Sequence, residues 1–81
     1  MTMEEWIRAT FPVYDDFGCE VFEFKANGLT VQADMAIFLS IFGNVPAPPT
    51  AASLKAADPE NKTGWHWCFD AWAHQGIIAA G

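Results

Sequence analysis

Eighty-one residues make one domain, and a core this small leaves little room for an apolar share of 52% that includes seven Phe and four Trp, so some apolar surface is expected to meet another chain. Ten carboxylates against four basic groups give a net charge of −6, which disfavours direct nucleic-acid binding because the phosphate backbone repels such a surface. The first five residues lack the basic start and apolar stretch of a secretory signal, and the longest apolar run, Met35–Leu39, is far below the ~18 residues of a membrane span, so a cytoplasmic protein without a membrane partner is expected.

Thr2 and Glu5 have the spacing of a capping box, which starts a helix. Met3, Trp6, Ile7 and Thr10 share one face, and Pro12 turns Phe11 away from helical geometry, so this helix ends near Thr10. The stretch Tyr14-Asp15-Asp16-Phe17-Gly18 reads as a solvated turn, since Asp and Gly favour turns and two aspartates fall short of a calcium loop.

Asn27-Gly28 is the dipeptide that best tolerates the positive φ angles of a type I′ turn, so the segment from about 19 to 33 forms a β-hairpin. A two-residue turn sets Ala26 opposite Leu29, and the register then runs Lys25–Thr30, Phe24–Val31, Glu23–Gln32, Phe22–Ala33. One face collects Phe22, Phe24, Val31 and Ala33, and the other Glu23, Lys25, Thr30 and Gln32. A hairpin needs helices to cover its apolar face, and its free edges could accept a further strand.

Asp34 caps a helix over Met35–Phe42, with Gly43 expected in the left-handed C′ position. Met35, Phe38, Leu39 and Phe42 form one stripe and Ile37 and Ile41 another; the β-branched and aromatic content makes strand the competing assignment. The proline-rich segment 44–49 should run as a stiff extended connector. Thr50 caps a short helix, Ala51–Ala57, anchored by Leu54, and Asp58-Pro59 marks a turn or a new helix start. A last helix is predicted from about Thr63 to His74 or beyond. At 100° per residue it turns Trp65, Cys68, Phe69 and Trp72 to the core, and sets Trp67, Ala71, His74 and Ile78 along a second ridge.

His66, Cys68 and His74 are metal-ligand types, but a helix points His66 and Cys68 about 160° apart, which also separates a Cys68 nucleophile from a histidine base. Asp70 with His66 or His74 is a helix-surface pair. The six glycines are dispersed and form no phosphate loop. Neither a catalytic group nor a cofactor or metal is expected.

The order of these elements points to an α+β fold, a small single domain with the hairpin packed against three or four short helices, and the want of a converging motif points to recognition without chemistry. Trp67, His74 and Ile78 form the candidate apolar anchor, tryptophan being enriched at binding hot spots. Glu4, Glu5, Asp15, Asp16, Glu20 and Glu23 face only Arg8, a net of −5 within the first 23 residues, and form a candidate acidic patch for a protein partner with a basic surface. In size and charge the chain resembles the small acidic proteins with which phages block host defences, such as anti-CRISPR proteins. That resemblance implies an inhibitor whose carboxylates stand in for phosphates. The alternatives are a structural or assembly protein that pairs its apolar ridges as a homodimer or larger homo-oligomer, and a small metal-binding protein.

Overall fold

A computed structural model describes all residues, Met1–Gly81, and the chain folds as α1 (Met3–Thr10), β1 (Val13–Asp16), β2 (Cys19–Ala26), β3 (Leu29–Asp34), α2 (Met35–Phe42), α3 (Ala51–Ala57) and α4 (His66–His74). The sheet is antiparallel in the order β1-β2-β3, and the whole is the expected small α+β domain.

The capping box opens α1, with the Thr2 amide on Glu5 Oε1 at 2.8 Å and the Glu5 amide on Thr2 Oγ1 at 3.1 Å. The start of each later helix but one follows the same local logic. Asp34 Oδ1 accepts from the Ile37 amide at 2.9 Å at the start of α2, and Thr50 and Ser53 cap α3 reciprocally. The exception is α4, whose N-cap residue, Trp65, makes no side-chain cap bond, the His66 amide donating to Asn61 Oδ1 at 3.2 Å. Instead, Asp58 gathers the amides of Lys62 and Thr63 and the Thr63 hydroxyl at 3.0, 3.1 and 2.6 Å. These bonds commit the preceding residues to turns, so α4 begins at His66 and not at Thr63.

The β2–β3 register is the one that the Asn27-Gly28 turn dictates, from Ala26 opposite Leu29 to Phe22 opposite Ala33. The segment before it is not a solvated turn. Val13–Asp16 pairs along β2, with Val13 opposite Phe22 and Asp16 opposite Cys19, and the turn shrinks to Phe17-Gly18. Even-numbered positions of β2 face the helices: Phe22, Phe24 and Ala26 are buried, while Lys25, Thr30 and Gln32 on the other face are exposed.

Trp72 lies at the centre of the core, with the rings of Phe11 and Phe24 each 5.0 Å away, Phe69 5.4 Å and Trp6 5.9 Å. Its Nε1 is buried and has no hydrogen-bond partner. Trp65 stacks on Phe38 and Phe42 at the core margin, and Leu54 anchors α3.

Three further expectations are corrected. Gly43 has φ −61°, in the right-handed region; its requirement is space, because a Cβ there would run into the Leu39 carbonyl oxygen. The segment 44–49 is not extended: Val45 turns back to bond the Phe42 carbonyl, and Ala47-Pro48 is cis. Finally, Ile78 does not continue the α4 ridge, because α4 stops at His74, an end the sequence allowed. Gly76 at φ 78° lets its own amide reach Ala73 O and the Ile77 amide reach Trp72 O, a Schellman ending. The chain then leaves the helical ridge, and the carbonyls of Ala79 and Ala80 accept the free first amides of α3, those of Ala51 and Ala52, at 2.8 and 3.0 Å.

Candidate protein-docking surface

The β1–β2 ladder brings Asp15 opposite Glu20, an arrangement of like charges that is unfavourable by itself. Arg8, in the last turn of α1, offsets it. Its Nη2 and Nη1 donate to the two Glu20 oxygens at 2.6 and 3.0 Å, while Nη2 and Nε donate to Glu4 Oε2 at 2.9 and 3.0 Å. The guanidinium lowers the Glu20 pKa below its ordinary value and leaves Glu4, Asp15 and Glu20 with a net charge of −2, while Asp16, opposite Cys19, turns to the other face of the sheet beside the same turn. Beside them, Glu4, Glu20 and Asp34 rim a groove of about 380 Å³ floored in part by Met35, Ala36 and Leu39.

The other two acidic candidates do not join this group. Glu5 is occupied as the helix cap, and its bonds to Thr2 lower its pKa. Glu23 lies on the solvated sheet face, where Gln32 Nε2 donates to it at 3.3 Å. Between Asp16 and Cys19 stands a residue that the sequence reading passed over: Phe17, fully exposed at a relative accessibility of 102% and with φ 51°. The available signal is Gly18, which follows Phe17 as Gly28 follows Asn27.

The apolar anchor divides differently. Trp67 is 40% exposed and His74 is exposed, and both line a cleft of about 490 Å³ with Asn27, Gly28, Asp70, Ala71 and Gln75. Ile78, by contrast, is only 8% exposed and belongs to the core, because the Schellman ending removes it from the α4 ridge. It is not an anchor. Asp70 pairs with Lys55 Nζ at 2.5 Å and with neither histidine. The cleft touches the β2–β3 turn, whereas the acidic group surrounds the β1–β2 turn, so the two candidates stand at opposite ends of β2, about 23 Å apart along a strand rising ~3.3 Å per residue.

The residues with chemical potential do not converge. His66 Nε2 donates to the Asp58 carbonyl at 2.6 Å, His74 faces the cleft, and no three His, Cys, Asp or Glu side chains come together as an ion-binding group. Burial pushes the Cys68 thiol up to about 11, so it is protonated at neutral pH. No helix is long and apolar enough to cross a membrane. Comparison with protein-family models, with curated proteins and with solved structures returns no match.

Proposed function

We propose that this chain is a non-enzymatic protein-binding module that docks on a basic surface of a partner protein, in the manner of a small acidic inhibitor of the phage type. The observation that carries the reading is the crowding of Glu4, Asp15, Asp16 and Glu20 near one turn, with Arg8 bridging only Glu4 and Glu20. Such a cluster speeds encounter with a basic surface and discriminates against acidic ones. Where the covered surface is one that binds nucleic acid, docking inhibits it by occupancy. The exposed Cys19 thiol and the buried Cys68 thiol, both free, suit a reducing, cytoplasmic setting.

The test is affinity capture with the immobilised protein, followed by identification of what is retained. The expected result is a basic protein released by raised salt and lost when Asp15→Asn and Asp16→Asn are combined. Retention that neither salt nor this pair of substitutions weakens would overturn the reading.

A homo-oligomer is the second reading, and one observation favours it: Ile37 and Ile41 are 58% and 40% exposed along the outer side of α2. Solution mass separates the two, since self-association through these side chains persists at high salt and is lost in Ile37→Ser with Ile41→Ser.

A further inference from the structure

The chain builds the same turn twice with different residues. Asn27-Gly28 joins β2 to β3 at φ 52° and 78°, and Phe17-Gly18 joins β1 to β2 at φ 51° and 86°. At the first position of such a turn Asn is at ease, because its short polar side chain tolerates the left-handed region, whereas a bulky residue meets steric opposition there. A core contact could offset that cost, but Phe17 has none: its side chain projects wholly into solvent. Local preference and burial therefore both argue against Phe at this position, and it is held there by the β1–β2 ladder on either side. Strained, exposed residues of this kind are characteristic of ligand clamps and contact sites.

The surroundings define what such a residue can meet. Asp15 and Asp16 precede it, Glu20 lies across the ladder, and Tyr14 stands 48% exposed further along β1. An apolar pocket in an acidic partner is excluded by these carboxylates, and one encircled by lysines or arginines matches them. We propose that Phe17 is the apolar anchor of the docking surface, inserting into a partner pocket ringed by basic side chains. This inference rests on the protein-binding reading above and names the chemistry at its centre. The anchor is preorganised: two strands hold the turn, Phe has only two side-chain torsions to fix, and insertion expels water from around the flanking ion pairs, which strengthens them.

The probes are a helical peptide of lysine and leucine, with an apolar strip bordered by ammonium groups, and polylysine of matched charge. The wild-type chain is expected to bind the amphipathic peptide about tenfold or more tightly than polylysine, the range a buried aromatic anchor supplies. Phe17→Asn should erase that preference, leave charge-driven binding to both probes, and raise Tm by about 4 °C or more as the turn adopts its preferred residue. Phe17→Leu should retain most of the preference. Asp15→Asn with Asp16→Asn should weaken both probes alike.

A Phe17→Asn protein that keeps the preference overturns the anchor, as does a preference lost only in Ile37→Ser with Ile41→Ser. If wild type binds both probes equally and in a salt-sensitive way, the docking reading stands and the anchor falls. If it binds neither, both fall together.

Discussion

Arg8 grips both carboxylate oxygens of Glu20, at 2.6 and 3.0 Å, and so ties the end of α1 to the start of β2. The same guanidinium holds Glu4, so one cation keeps three elements of an acidic surface in register: α1, β2 and, through the ladder, β1 with Asp15. Exposed pairs contribute little stability individually, and this one is open to salt. Arg8→Gln should therefore lower Tm modestly in dilute buffer, with the loss shrinking as salt is added. Thermal melts at two ionic strengths measure it. The Glu20 pKa is depressed in the folded state, so this contribution is present above the unfolded carboxylate pKa and is lost as pH falls through the folded one.

Asp58 should control how α4 begins. Its carboxylate is held below its ordinary pKa chiefly by the Thr63 hydroxyl, with the Thr63 and Lys62 amides adding to the effect. A depressed pKa stabilises the fold in full above the unfolded value of about 3.9, and this contribution is lost as pH falls through the lower folded value. Asp58→Ala should destabilise the chain at neutral pH and flatten its acid dependence. Amide exchange should quicken first at Lys62 and Thr63, which lose their acceptor; unchanged exchange there would refute the assignment.

Trp72 provides a test of the core. Trp72→Ala should cost about 3–5 kcal/mol, the range for deleting a large buried aromatic. Trp72→Phe should cost much less than that, because it removes the unpartnered indole N–H along with the extra volume and keeps an aromatic ring against Phe11 and Phe24. Urea titrations of the two variants give the comparison, and equal losses would overturn this account of the core.

Ile78 and Trp67 should part company, although one helical wheel groups them. Ile78→Ala should destabilise by about 2–4 kcal/mol as a core truncation. Trp67→Ala, at a half-open cleft, should stay within about 1 kcal/mol of wild type. Denaturation curves decide the matter; a severe loss at Trp67 would place it in the core.

The hairpin register is legible in the sequence because it checks itself: only the closure of Ala26 on Leu29 collects Phe22, Phe24, Val31 and Ala33 on one face. The caps of α1, α2 and α3 are equally legible, since each bond runs between residues three apart. β1 is not. Val13–Asp16 has no buried alternation, and its strand geometry comes from β2, a partner outside any local window. The Asp58 turn escapes notice for a related reason, because it competes with a helical start that Thr63 could also have provided. Of the candidate site, the acidic residues are legible as composition, whereas their grouping depends on Arg8 reaching Glu20. Phe17 is hidden by its own chemistry, since a phenylalanine is ordinarily assigned to the core.

The length of β2 has one more consequence. Its two turns present Phe17 at one end and the Trp67 cleft at the other, on a molecule only 34 Å in its longest dimension with 4740 Å² of accessible surface. A standard interface of about 800 Å² per partner covers about a sixth of that area. A patch of that size centred on one turn stops short of the other. Sites this far apart act independently, so the free-energy effects of substitutions at Phe17 and Trp67 should simply add.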